Sequence, residues 1–242
     1  VVIPQPDAPR LEGVGDTITI NEDQSFDRQV RVYDPDVPGG PVSVQIEYSG
    51  DVLGCPSDDP CEPVRLIGTG ESRRLVIEPK PNANGQATIR LILTAGEEGA
   101  ERIGERVLTL LVEPVNDPPE ILAIHTFDIM EDDELKIIAK VYVDDIDSDL
   151  ERAVVTATPA DPATLPINPG NIQRNVVGGI LEVYISAKPA DDRFGTVPVT
   201  VRVTDDGGLP VSQTFAVNIK PIDDPPTFTP GKNIEVFEDA PP

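Results

Sequence analysis

The sequence predicts an all-β protein, built from tandem Greek-key β-sandwiches of seven strands each. Three observations predict it. Short apolar or β-branched runs recur along all 242 residues, 27 prolines and 19 glycines punctuate them, and a set of landmarks returns about every 110 residues. Proline and glycine at that density suit short strands joined by turns. Half-buried strands alternate apolar and polar residues, as the stretches 88–94 and 197–204 nearly do.

The landmarks fix the organisation. Pro114-Val-Asn-Asp-Pro-Pro119 returns 107 residues later as Pro221-Ile-Asp-Asp-Pro-Pro226, and a weaker copy, Pro4-Gln-Pro-Asp-Ala-Pro9, lies 110 residues earlier. Asn21-Glu22-Asp23 recurs as Met130-Glu131-Asp132 and again as Phe237-Glu238-Asp239. Asp34-Pro-Asp36 matches Asp145-Ile-Asp147, and Lys80-Pro81 before Gly85 matches Lys188-Pro189 before Gly195. The boundaries follow: repeat 1 over 1–114, repeat 2 over 115–222, and the start of a third over 223–242.

Strands are expected in repeat 1 at 17–20, 26–33, 42–48, 64–67, 73–78, 87–94 and 106–112. Repeat 2 repeats the pattern at 121–129, 135–143, 153–158, 172–177, 180–186, 197–204 and 212–219. About seven short strands in roughly 100 residues is the signature of an immunoglobulin-like sandwich. The one segment of helical composition, 97–106, holds Gly99 and Gly104 between two strong strands and reads as a hairpin loop.

Acidic residues outnumber basic ones 43 to 19, for a net charge of −24. Such a surface repels nucleic acid and anionic lipid and attracts hard divalent cations. No apolar run approaches the ~20 residues of a membrane span. Cys55 and Cys61, with five residues between them of which two are proline, suit a small disulfide-closed loop in an oxidising compartment; the plain alternative is two free thiols in an exposed loop. A single histidine, His125, argues against zinc or a Ser-His-Asp centre in both repeats, and no Gly-rich phosphate loop or nucleophile elbow appears. The expectation is that the chain is not an enzyme. With no Trp, four Tyr and six Phe, a carbohydrate-binding face is poorly supplied, and Tyr33 and Tyr142 occupy matching structural positions.

At its linkers the chain resembles the cadherin family, on Val203-Thr-Asp-Asp-Gly-Gly, the strand from Phe215, and Pro221-Ile-Asp-Asp-Pro-Pro226. It is most similar to the cadherin-like repeats with Val-Asn-Asp-x-Pro linkers found in tandem in giant bacterial adhesins and other large surface proteins. The resemblance implies an extracellular, cell-surface rod with Ca2+ at the junctions between repeats. It implies ligands at one junction from Glu22, Asp23, Asn82 or Asn84, Asn116, Asp117, Asp145, Asp147, and Asp205 or Asp206. For the next it implies Glu131, Asp191 or Asp192, Asp223 and Asp224; Asp7, Asp34 and Asp36 would serve the junction before repeat 1.

The sequence departs from the family at several points. The Asp-Arg-Glu motif is absent, and repeat 1 has Thr94-Ala-Gly where repeat 2 has Thr204-Asp-Asp-Gly. Expected partners are neighbouring repeats of the same chain, other surface proteins or copies of itself. The competing reading is a calcium-independent immunoglobulin-like spacer or a filament-forming segment of a surface appendage, in which the acidic motifs are solvated turns.

Overall fold

The computed structural model describes residues 6–54, 62–97, 99–226, 228–229, 231 and 238. The Cys55–Cys61 loop lies outside the described residues, as does most of the segment expected to open a third repeat. The chain divides into two compact units, Val1–Val115 and Asn116–Pro242.

Unit 1 holds β1 (Arg10–Glu12), β2 (Thr17–Asn21), β3 (Phe26–Tyr33), β4 (Val42–Ser49), β5 (Val64–Ile67), β6 (Ser72–Ile77), β7 (Gly85–Ala95) and β8 (Arg102–Glu113). They form two four-stranded sheets, ordered β1-β3-β6-β5 and β2-β8-β7-β4. Unit 2 holds β9 (Glu120–Thr126), β10 (Ile129–Met130), β11 (Lys136–Asp144), β12 (Val154–Pro159), β13 (Ile172–Val177), β14 (Ile180–Ala187), β15 (Gly195–Thr204) and β16 (Pro210–Lys220). Its sheets are ordered β9-β11-β14-β13 and β10-β16-β15-β12, the same topology. This is an all-β sandwich fold; a 3-10 turn at Pro169–Asn171 is the one helical element among the described residues.

The seven expected strand positions of each repeat are filled; in unit 1 an unexpected strand, β1, precedes them, and in unit 2 the first expected run is divided between the two sheets. β1 pairs antiparallel with β3, whereas β2 pairs parallel with β8. Likewise β9 lies antiparallel to β11, and β10 runs parallel to β16. The expected run 121–129 is therefore two strands, because no single straight strand serves both sheets.

Strict alternation builds each core. β7 buries Ala87, Ile89, Leu91, Leu93 and Ala95, and β15 buries Val197, Val199, Val201 and Val203. Val30, Val32, Leu75 and Ile77 from the other sheet complete the first core. Val141, Val143, Val183 and Ile185 do so in the second.

The expected loop over 97–106 is shorter than the glycines suggested. β7 and β8 pair residue for residue up to Ala95 opposite Arg102, leaving a turn closed by the Ala100 N–H on the Glu97 carbonyl at 2.9 Å. Gly104 is a buried strand residue: a side chain there would run into the Pro9 backbone carbonyl. It marks a close approach of two backbones, a use of glycine that looks like a turn signal in sequence.

Candidate metal centres

Strand register places the acidic motifs of unit 2 at its two opposite ends. Asp145 follows β11, whose last residue Asp144 pairs with Glu120 at the start of β9, and Asp205 follows β15. Asn116 and Asp117 precede β9, so all of these converge at one end. At the other, β10 pairs with the last residues of β16, bringing Glu131 and Asp132 beside Lys220 and the segment that follows it.

At the first end the loop after β11 turns on itself. Asp145 Oδ1 accepts the N–H groups of Asp147 at 3.3 Å and Ser148 at 2.9 Å. Asp147 Oδ2 accepts the Asp117 N–H at 3.0 Å. The Asn116 amide donates to Asp205 Oδ2 at 2.8 Å, and Ser148 Oγ donates to Asn116 Oδ1 at 3.2 Å. Asp205 is 4% exposed and takes the Leu209 N–H at 2.6 Å. Gly207 lies against Asn116, and a side chain at 207 would overlap the Asn116 amide.

Asp145 Oδ2 is buried with no hydrogen-bond donor. Burial raises the Asp145 pKa above the ordinary carboxylate value, and the Asp147 carboxylate adds to this, against the pull of two backbone N–H donors. A buried carboxylate oxygen with no donor is an unmet demand for positive charge.

At the second end, the carboxylate oxygens of Asp132, Asp192 and Asp224 lie within 4.8 Å of one another. Two oxygens bound to one calcium at 2.3–2.6 Å stand at most about 5 Å apart, so this spacing suits a shared hard cation. Loss of solvent, then the charges of Asp132, Asp192, Glu131 and Asp223, raise the Asp224 pKa. Buried Glu131 accepts the Ile222 N–H at 2.8 Å, which ties the segment after β16 to this end.

Unit 1 repeats the frame. Buried Glu22 takes the Val115 N–H at 2.5 Å and lies 3.5 Å from the Asn84 amide, and Asp23 takes the Asn82 N–H at 2.9 Å. At its other end Asp34 and Asp36 form the same turn, but Asp34 pairs with Arg102.

Not every expected ligand joins a cluster. Asp206 turns to Arg152 at 3.9 Å, and of Asp191 and Asp192 it is Asp192 that meets Asp132 and Asp224. Sequence reading did not name Asp132 as a ligand, although its repeat partner Asp23 was named; the repeat register carried that signal. It also missed Ser148. His125, on β9, packs edge-on against the Tyr142 ring at 5.5 Å, as a structural strand residue does.

No family model matches this chain, and no curated protein matches it. Among solved structures, it is similar to the protocadherin gamma B2 extracellular cadherin domains 1–5, with a TM-score of 0.50 and 16% identity, covering 93% of this chain and 42% of that one. It is also similar to PcdhgB3 EC1-4, with a TM-score of 0.50 and 14% identity, covering 89% of this chain and 50% of that one. The chain thus spans half or less of either structure, and the likeness is one of fold: the cadherin-type β-sandwich repeat. Among the described residues no helix is long and apolar enough to cross a membrane.

Proposed function

We propose that this chain is a structural and adhesive segment of a large extracellular surface protein, in which Ca2+ at the ends of the repeats stiffens a rod. The observation that carries the reading is the buried, donor-free Oδ2 of Asp145 beside the Asp147 carboxylate, in a loop tied to buried Asp205 through the Asn116 amide. That donor set is all oxygen, as calcium requires. Asn116, Asp117, Asp145, Asp147 and Asp205 would hold one group of ligands, and Glu131, Asp132, Asp192, Asp223 and Asp224 another. Calcium supplies there the positive charge that these carboxylates lack. Asn116 and Asp117 lead into unit 2, so their anchoring fixes the linker, whose following prolines already restrict the backbone. Neighbouring repeats are the first partners on this reading, with the segment from 223 opening a third; the sequence offers no catalytic constellation.

Calorimetric titration of the whole chain with calcium tests the reading, beside the Asp145→Ala, Asp147→Ala double variant. Binding on the order of 10⁻⁴–10⁻³ M is expected for the parent. A higher melting temperature in calcium should accompany it, and the variant should lose most of both. A parent that binds nothing at millimolar calcium would leave a calcium-independent spacer.

A further inference from the structure

The two Asp-x-Asp loops share two backbone hydrogen bonds and part ways at one buried carboxylate oxygen. In unit 1, Asp34 Oδ1 accepts the Asp36 N–H at 3.0 Å, as Asp145 Oδ1 accepts that of Asp147 at 3.3 Å in unit 2. Asp36 Oδ2 accepts the Asp7 N–H at 2.5 Å, as Asp147 Oδ2 accepts that of Asp117 at 3.0 Å. The remaining oxygens differ: Asp145 Oδ2 has no donor, whereas Asp34 Oδ2 is bound by the Arg102 guanidinium. Asp34 is only 3% exposed, so this pair is largely withdrawn from water.

A two-residue exchange produces the difference. Unit 2 follows Thr204 with Asp205, one of the carboxylates gathered at its loop; unit 1 follows Thr94 with Ala95. Directly across the hairpin from Ala95 stands Arg102. One carboxylate is thus lost and one guanidinium gained at the same end of the sandwich. Asp7 adds a second ion pair, with Arg10 at 3.7 Å. In unit 2, by contrast, Asp145, Asp147 and Asp205 form no ion pair with Lys or Arg among the described residues, and Arg152 reaches Asp206 instead.

We infer that Arg102 is a built-in counterion standing where a divalent cation would otherwise sit, so that the Asp-x-Asp loop of unit 2 binds metal and that of unit 1 does not. The inference rests on the calcium reading of the Asp145 loop. A guanidinium locked to a buried carboxylate satisfies the charge without leaving an open coordination position, and it repels any approaching cation. Ala95 and Arg102 are then the residues that set which end of which repeat takes a metal.

Two measurements test this. In the first, Mn2+ is titrated into the isotopically labelled whole chain, and the loss of amide signals by paramagnetic broadening is followed. Signals of Asp145, Asp147 and Ser148 should vanish while those of Asp34, Asp36 and Val37 keep their intensity. Equal loss at both loops overturns the inference. Loss at neither removes the calcium reading, and the inference falls with it. In the second, the Ala95→Asp, Arg102→Ser variant should take up roughly one further calcium equivalent in calorimetric titration, because it frees Asp34 Oδ2 and restores the carboxylate that unit 2 has at Asp205, leaving the Asn116 amide without a unit 1 counterpart, where Pro6 stands. A folded variant with the parent's stoichiometry overturns the inference; should it fail to fold, the Mn2+ titration on the parent decides.

Discussion

At the scale of single residues, Asp34 and Asp145 show how one turn geometry yields opposite electrostatics. The Asp34 pKa is lowered: burial pushes it up, but the Asp36 N–H and the Arg102 guanidinium outweigh that. The Asp145 pKa is raised. A lowered folded pKa gives stability that is present above the unfolded value, about 4, and lost as pH falls through the folded one. A raised one does the reverse: its contribution is present below about 4 and lost as pH rises through the folded value. In metal-free protein, Asp145→Asn should therefore raise the stability near neutral pH, by the few tenths to about 1 kcal/mol that charge pairs near a surface carry. It should also abolish the calcium response of that loop. Asp34→Asn should lower stability, with calcium and without, because it strips the charged partner from Arg102. Chemical denaturation of both variants in chelator and in calcium separates the two roles. Equal behaviour of the two variants would mean that both loops are ordinary turns.

At the scale of elements, the strands were legible because alternation and turn residues are local signals. β7 shows it: five of its residues, Ala87 to Ala95 in steps of two, are buried, as period two demands. Leu91, fully buried, leaves a cavity when truncated, so Leu91→Ala should cost about 2–5 kcal/mol, measured by denaturant unfolding. A loss under 1 kcal/mol would mean that the core of unit 1 collapses readily around the gap. The elements that escaped sequence reading are those decided by distant backbone. β1 is three residues long and is a strand because β3 pairs with it. β10 is two residues, held by β16. Gly104 looked like a loop residue because its reason, the Pro9 carbonyl, lies far away in sequence. The candidate sites divide in the same way. The family resemblance at the linkers pointed to Asp145, Asp147, Asp205 or Asp206, and Asp191 or Asp192, and repeat register added only that Asp145 and Asp147 match Asp34 and Asp36. The Arg102 partnership depends on hairpin register across a turn whose ends the sequence left open.

At the scale of the whole chain, a net charge of −24 sets the terms of stability. Each unit has its own aliphatic core, so each should unfold as its own cooperative step. Self-repulsion weakens both steps, and any salt relieves it by screening. Specific binding adds a contribution that screening cannot mimic: at tenfold the dissociation constant, one site adds about 1.4 kcal/mol to the unit that holds it. Scanning calorimetry in NaCl and in CaCl2 at matched ionic strength should therefore show a difference. NaCl should move both transitions upward together, as general screening does. CaCl2 should move the unit 2 transition several degrees further, since that unit presents a donor-free carboxylate oxygen at one end and the Asp132, Asp192 and Asp224 group at the other. The unit 1 transition should gain less, through Glu22 and Asp23 alone, because Arg102 already neutralises its Asp34 end. Transitions that move identically in the two salts would show that the acidic loops feel only ionic strength.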